Sequence, residues 1–219
     1  MKHVLQQTID DHFGGLLRRG SHNWTHSTHL YKSVEACAIE AAHVAMGHDW
    51  SDKPTYWPDI RAINDSAWKS DQSRTKSLVA LLKTYWTWQA WPIEQKHATA
   101  KKVIIASVRY LVPHTPRLFV EEVRRCKQVR TLFEAESALI QIDERGQSGD
   151  VRTIIKILLT ACIMMQPPAG EIAVANVLER CSRAVDKLAS LVIYQVRDSE
   201  HSDAILRQAC RIWVRAAKE

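Results

Sequence analysis

The spacing of glycine and proline is the feature that most constrains the fold of this chain. The 219 residues include seven glycines and seven prolines, and most of them stand between stretches whose apolar residues recur at helical intervals. An all-β fold needs many turns, and a disordered chain lacks this much apolar material, so both are disfavoured. We therefore predict an all-α protein, a multi-helix bundle of about eight to ten helices with short connections.

Helical periodicity and chain breakers give approximate bounds for these helices. The first helix covers about residues 4–19 and ends at Gly20, and the second runs from about Thr28 to Met46. Further helices are expected at about 58–63, 71–90, 92–112, 117–128, 130–143, 151–165, 170–196 and 200–218. The helix over 151–165 is apolar nearly all round, which is typical of a helix at the centre of a bundle.

The two halves of the chain differ in composition. Seven of the eight tryptophans and seven of the ten histidines precede residue 92, whereas residues 101–219 carry 19 Lys and Arg against 14 Asp and Glu. We expect a single helical domain over 1–219, with a division into an aromatic and histidine-rich half, 1–91, and a basic half, 92–219, as the alternative. The net charge of +6 permits binding to nucleic acid or to an acidic protein and requires neither.

The cysteines and the N-terminus indicate the compartment. Five scattered cysteines without a CxxC pair favour reduced, buried thiols over a disulfide framework or a zinc ribbon. The N-terminus reaches Asp10 and Asp11 before an apolar signal sequence could form. The longest apolar stretch, Ile154 to Met165, contains Lys156 and is too short to span a bilayer. We predict a cytoplasmic protein with no membrane association, no metal and no cofactor.

Two groups in the N-terminal half could carry chemistry. His22, His26 and His29 precede Cys37, and imidazole and thiolate are good zinc ligands, but the intervening residues form a poor helix, so exposed histidines are favoured. Glu40 could act as a general base with His43 as the acid that orients it, or the two could form an ordinary pair on a helix surface, which is favoured. The catalytic candidates are Glu40, Asp52 and His22.

Other residues are candidates for binding. Asp52, Asp65 and Arg74 could form an ion-pair network that either fixes a loop, the favoured interpretation, or lines a pocket. Trp86 and Trp88 are about 200° apart on a helix, so one is expected in the core while the other meets a loop or a partner. Core packing is the default interpretation for this aromatic set, and Trp88 is the candidate for binding.

A basic stripe is expected on the last helix. Arg207, Arg211 and Arg215 follow one another at i+4 spacing, so they lie on one side of a helix. Such a stripe could bind phosphate or an acidic partner, and a solvated helix face is the alternative.

The region from Leu16 to Arg74 resembles a group of bacterial proteins that have no assigned activity. The matching elements, which cover about a quarter of the chain, are Leu17-Arg18-Arg19-Gly20-Ser21-His22, Cys37-x-x-Glu40, Gly47-x-x-Trp50-Ser51-Asp52-x-Pro54, Asn64-Asp65 and Arg74. Members of that group often carry further cysteines and a histidine after the Ser-Asp element, where this chain has Lys53 and Thr55-Tyr56. The resemblance implies that the following residues belong to one pattern: Arg19, His22, Glu40, Asp52, Asn64, Asp65 and Arg74.

The sequence contains no P-loop, GxGxxG, GxSxG, HExxH or EF-hand motif, which disfavours nucleotide hydrolysis of the familiar kinds. We predict a helical interaction or regulatory protein, a subunit or partner-binding component of a bacterial assembly, with a protein partner or a second copy of itself. The first alternative is an enzyme with an acid–base or metal site in the N-terminal half. The second is a nucleic-acid-binding module that uses the basic C-terminal half. The candidate binding residues are Arg19, Asn64, Asp65, Arg74, Trp88, Arg207, Arg211 and Arg215.

Overall fold

A computed structural model describes residues 2–19, 36–51, 53, 57–147, 149–166 and 170–218. Within these ranges the chain forms ten α-helices and two short 3-10 turns, and no strand occurs there. The connections between successive helices are short from residue 57 onward. The predicted all-α, multi-helix fold is confirmed.

The helices follow one another along the chain with bounds close to those predicted for the second half. From α5 onward every helix begins and ends within three residues of its predicted bounds. The helices are α1 Lys2–His12, α2 Ala38–Ala45, α3 Arg61–Asp65, α4 Asp71–Thr84, α5 Ile93–Tyr110, α6 Val120–Gln128, α7 Leu132–Glu144, α8 Gly149–Met164, α9 Glu171–Val196 and α10 Ser199–Lys218, with 3-10 turns at Trp88–Ala90 and Val112–His114.

The N-terminal helices are shorter than the sequence predicts. Helix α1 ends at His12 rather than near residue 19, because Gly14 and Gly15 adopt positive φ angles of 60° and 78°, a conformation that ends helices. Helix α2 begins at Ala38, where Cys37 is the N-cap, and the predicted stretch from Thr28 to Glu35 lies outside the described residues. Helix α4 ends at Thr84 rather than near residue 90.

The centre of the fold is formed by the C-terminal helices. Helix α9 packs against α3, α5, α8 and α10, and α10 packs against α4 and α5. As predicted for a central helix, α8 buries most of its apolar residues, although Ile163 near its end is exposed. The contacts of α3 with α9 and of α4 with α10 connect the aromatic first half of the chain to the basic second half.

Polar contacts accompany the packing of α3 on α9. The backbone N–H of Ile63 donates to Ser182 Oγ at 3.3 Å, and Ser66 Oγ donates to Asp186 Oδ1 at 2.8 Å. Ser66 and Ser182 are buried, and a buried polar group costs free energy unless it is hydrogen-bonded. These bonds therefore stabilise one particular arrangement of the two helices.

Helix α10 is amphipathic and buries a large aromatic side chain. Trp213 is 0% exposed, and its ring centroid lies 6.1 Å from that of Tyr85, just after α4. The Tyr85 hydroxyl donates a hydrogen bond of 3.0 Å to the Trp213 carbonyl. This pair of contacts fixes the rotation of α10 about its own axis relative to the end of α4.

All five cysteines are free and buried. Burial raises the pKa of Cys126, Cys162 and Cys210 to about 12, and it also raises the pKa of Cys37 and Cys181. The thiolate is the reactive form of cysteine, so these thiols are chemically quiet near neutral pH. Within the described ranges, no helix combines the length and the apolar character needed to cross a bilayer.

Replacing Tyr85 by Phe removes one buried hydrogen bond and keeps the aromatic packing. We expect Tyr85→Phe to lower the free energy of unfolding by about 1 kcal/mol, measured by urea denaturation followed by tryptophan fluorescence. Tyr110, which is exposed, provides the matched control, and Tyr110→Phe should leave the unfolding midpoint unchanged. Equal midpoints for Tyr85→Phe and the wild type would contradict the role given to this bond.

The burial of the thiols predicts their reactivity. We expect Ellman's reagent to label none of Cys37, Cys126, Cys162 and Cys181 in the native protein within minutes at pH 8, because burial raises their pKa values and encloses their sulfur atoms. All five cysteines should react once the protein is unfolded in denaturant. Rapid labelling of any of these four in the native protein would contradict the packing described above.

Candidate functional site

Asn64 is the centre of a buried polar network in the N-terminal half. Its side chain is 1% exposed and contacts three different segments of the chain. The Oδ1 atom accepts a hydrogen bond of 3.1 Å from the N–H of Ala38, at the start of α2. The Nδ2 atom donates to the Arg18 carbonyl at 3.1 Å and to Asp65 Oδ1 at 2.7 Å. One amide therefore connects α2 and α3 to the segment that follows α1.

An arginine–aspartate cluster extends this network onto α4. The buried guanidinium of Arg74 donates through Nε to the Asn64 carbonyl at 3.0 Å and pairs with Asp71 Oδ1. The second oxygen of Asp71 pairs with Arg18. Burial lowers the pKa of Arg74, while the carboxylates of Asp71 and Asp65 act to raise it. Arginine remains charged throughout the accessible pH range, so the cluster is a permanent ionic contact.

Backbone groups next to Arg18 complete the connection. The Leu17 N–H donates to Thr75 Oγ1 at 2.8 Å, and the Thr75 hydroxyl donates to the Asp71 carbonyl at 2.6 Å. The Arg18 N–H donates to the Ala36 carbonyl at 2.8 Å. The described polar groups of this cluster are thus bonded to one another, which is the arrangement of a structural network.

Glu40 is enclosed by hydrogen bonds within the protein. It is 1% exposed, and its carboxylate accepts from the Cys37 N–H at 2.7 Å and from Trp50 Nε1 at 3.2 Å. His43 is also buried, and its Nε2 donates to the Lys53 carbonyl at 2.9 Å. A general base must come within hydrogen-bonding reach of a substrate proton, and these contacts instead hold the start of α2 against the chain at Trp50 and Lys53.

The structure brings together part of the residue pattern selected from the sequence. Asn64, Asp65 and Arg74 lie in one network, and the charge of Arg19 lies close enough to act on Arg74. His22 and Asp52 lie outside the described residues. Arg18 belongs to the motif from Leu17 to His22 but was not chosen as a candidate, and no sequence signal indicated Thr75.

Trp88 lies in the core. It is 7% exposed, and its ring centroid lies 5.1 Å from that of Trp91 and 5.5 Å from that of Tyr85. Trp86 is also buried, 5.9 Å from Trp57 between ring centroids. The prediction that Trp86 and Trp88 lie on opposite sides of one helix is wrong, because α4 ends at Thr84 and a tight turn lets both rings pack inward.

A groove of about 760 Å³ lies between α4 and α10. All three arginines of the predicted stripe line one side of it. The described residues that line the groove are Gln72, Ser73, Lys76, Ser77, Ala80, Arg207, Cys210, Arg211, Val214, Arg215 and Lys218. The lining positions recur at helical intervals on both helices, so each helix contributes one face.

The two helices that form this groove run in the same direction. Ser73 Oγ near the start of α4 donates to Asp203 Oδ2 near the start of α10 at 2.9 Å. Tyr85 after the end of α4 contacts Trp213 further along α10. The groove extends from Arg207 to Lys218 along α10, a length of about 16 Å at 1.5 Å per residue.

The groove combines an apolar floor with a cationic rim. Cys210, which is buried, and Val214, which is partly buried, supply the apolar floor, and Ala80 adds an exposed apolar side chain. The rim cations are Lys76, Arg207, Arg211, Arg215 and Lys218, all of them exposed. Arg207 is held by the buried Asp203 carboxylate at 2.9 Å. Among the lining residues that the structure describes, none carries a carboxylate.

The described residues contain no group of three or more His, Cys, Asp and Glu side chains placed to hold a metal ion. Comparisons with known protein families, with curated proteins and with solved structures returned no match. The resemblance of the region from Leu16 to Arg74 to a bacterial group stays a prediction.

The network makes a prediction about Asn64. In Asn64→Asp the side chain can no longer donate to the Arg18 carbonyl, and its added charge faces Asp65. We expect the free energy of unfolding to fall by more than about 2 kcal/mol, because each buried group left unsatisfied costs about 1–3 kcal/mol. Chemical denaturation measures this change.

Asn176, which lies on the exposed side of α9, supplies the matched control. Asn176→Asp should change the unfolding free energy by less than about 0.5 kcal/mol, as is usual for surface substitutions. If both variants unfolded at the wild-type midpoint, the network would not have the structural role assigned to it.

Proposed function

We propose that this protein is an interaction protein that binds an acidic, amphipathic helix of a protein partner in the groove between α4 and α10. The observation that carries the proposal is the union of an apolar floor with a cationic rim in a single elongated groove. A basic face without an apolar floor would fit many polyanions equally well, whereas this groove also offers apolar surface to bury.

The shape of the groove suits a helix. Two packed helices with small residues between them, among them Ser73, Ser77 and Ala80, leave a trough into which a third helix can lay its apolar side. This is the usual geometry of helix-in-groove recognition, in which anchors recur at i, i+3, i+4 and i+7. A groove of about 16 Å accommodates about three helical turns.

The charges of the rim define the polar side of the partner. Lys76 stands on the α4 side, and Arg211, Arg215 and Lys218 stand on the α10 side. A docked helix with Glu or Asp flanking its apolar stripe would place carboxylates near both walls. Such complementarity accelerates association and discriminates against basic partners.

A protein helix fits these residues better than a nucleic acid does. Proteins that bind single strands rely on aromatic side chains on which bases stack, and no described residue lining this groove is aromatic. An apolar floor also contributes nothing to the binding of phosphates. The test below therefore includes nucleic-acid binding through the basic C-terminal half as the alternative result.

The described part of the N-terminal pattern gives less support to an enzyme. Glu40, Asn64 and Arg74 are buried and hydrogen-bonded to other parts of the chain, as a scaffold requires. The other two catalytic candidates, His22 and Asp52, lie outside the described residues. The enzyme alternative accordingly rests on the sequence pattern alone.

The proposal includes a cytoplasmic location in a bacterial cell. Five buried, unpaired thiols suit a reducing compartment. The bacterial origin rests on the resemblance of the segment from Leu16 to Arg74.

A synthetic helix tests the groove directly. The probe is a fluorescein-labelled peptide of about 18 residues, with leucines at i, i+3, i+4 and i+7 spacing and glutamates on the remaining face. We expect saturable binding by fluorescence anisotropy, and at least about tenfold weaker binding, or about 1.4 kcal/mol, for the double variant Lys76→Glu with Lys218→Glu. A peptide of the same composition with scrambled leucines should bind at least tenfold more weakly.

Two other exposed helical lysines provide the matched control. Lys156 on α8 and Lys187 on α9 do not line the groove, and Lys156→Glu with Lys187→Glu makes the same change in net charge. This variant should bind the peptide within about twofold of the wild type. Equal losses in both double variants, or tighter and steeply salt-dependent binding of a single-stranded oligonucleotide, would contradict the proposal and favour a general polyanion or nucleic-acid site.

A further inference from the structure

A second groove lies on the opposite side of the arginine stripe. It occupies about 420 Å³ between α5 and α10, within the range of small-molecule sites. Arg211 and Arg215 line this groove as well as the groove between α4 and α10. The two arginines therefore form a ridge between two separate depressions.

Five cationic side chains converge on the second groove. Lys102 and Arg109 come from α5, Arg130 comes from the segment between α6 and α7, and Arg211 and Arg215 come from α10. Residues from three separate parts of the chain thus surround one small volume. Like charges held this close repel one another, so the arrangement favours a ligand that neutralises several of them at once.

Two of these cations, Arg130 and Arg109, lie beside groups that the structure describes. The Glu134 carboxylate near Arg130 accepts hydrogen bonds from the backbone N–H groups of Arg130 and Thr131, at 2.6 and 3.0 Å, as the cap of α7. The Arg109 guanidinium lies 5.1 Å from the centre of the Tyr110 ring. No residue in the described lining of this groove carries a carboxylate.

We propose that the groove between α5 and α10 binds a compact polyphosphate anion. Guanidinium groups match phosphate oxygens with paired N–H donors. Four of the five cations are arginines that can act in this way, namely Arg109, Arg130, Arg211 and Arg215. A chain of phosphoryl groups carries more negative charge than a single tetrahedral anion and presents it along its length, which suits cations that come from more than one segment.

The shared arginines make this ligand a competitor of the acidic helix. An anion that draws Arg211 and Arg215 towards α5 removes two cations from the rim facing α4. Polyphosphate then weakens the binding of the helix. This consequence rests on the proposed docking groove, but the binding of polyphosphate itself is independent of that proposal. The second groove would in this way regulate the first.

Isothermal titration calorimetry with sodium tripolyphosphate tests the site, at ionic strength held constant with sodium chloride. The variant Lys102→Gln with Arg130→Gln removes two cations that line only the second groove. The variant Lys76→Gln with Lys218→Gln removes two exposed cations that line only the first. We expect affinity for tripolyphosphate to fall at least tenfold in the former and to change by less than twofold in the latter.

Both double variants remove two positive charges, so a difference between their affinities cannot come from net charge. An equal fall in both variants would show attraction to net positive charge and would overturn the assignment, as would sulfate binding as tightly as tripolyphosphate. ATP is titrated as a second ligand, because the exposed ring of Tyr110 lines this groove. Tighter binding of ATP than of tripolyphosphate assigns the ligand to nucleoside polyphosphates, and equal binding assigns it to the phosphate chain alone.

The competition is measured separately with the fluorescent acidic peptide. Tripolyphosphate should displace the peptide from the wild type and fail to do so from Lys102→Gln with Arg130→Gln. If the peptide does not bind, the docking groove fails while the calorimetric result still decides the polyphosphate site. If the peptide binds and tripolyphosphate binds without displacing it, the regulatory link through Arg211 and Arg215 is wrong.

Discussion

The burial of Trp213 against Tyr85 is the interaction on which the surface of this protein depends. Residues Arg211 and Arg215 each lie about 200° around the helix from Trp213, so fixing the indole in the core turns these arginines outward. The hydrogen bond from the Tyr85 hydroxyl to the Trp213 carbonyl also sets the position of α10 along α4. Both grooves border α10, and their shapes therefore follow from this one contact.

The polar network around Asn64 has a different physical role from the grooves. It lies among the short helices α2 and α3, and its side-chain hydrogen bonds to backbone groups join these helices to the segment after α1, in addition to their apolar packing. Arg74 and Asp71 supply charge where the network reaches α4, the helix that also forms one wall of the docking groove.

Much of the fold could be predicted from the sequence, whereas the site could be predicted only in part. Periodicity defined the helices from α5 onward, and i+4 spacing placed the arginines on one face. The end of α1 could not be predicted from periodicity, because the apolar repeat continues to Leu16 and Leu17, past the point where Gly14 and Gly15 end the helix. The grooves could not be predicted, since Lys76 and Lys218 line the same groove only because α4 packs against α10, more than a hundred positions away along the chain.

The groove between α4 and α10 is proposed to receive an acidic helix. Backbone amide shifts in the NMR spectrum of the labelled protein, recorded during titration with the acidic amphipathic peptide, locate the binding surface. The largest shifts should fall on residues 72–80 and 207–218. Shifts concentrated on α6 and α7, near the exposed Phe119 and Phe133, would contradict the proposal and would place the binding surface there.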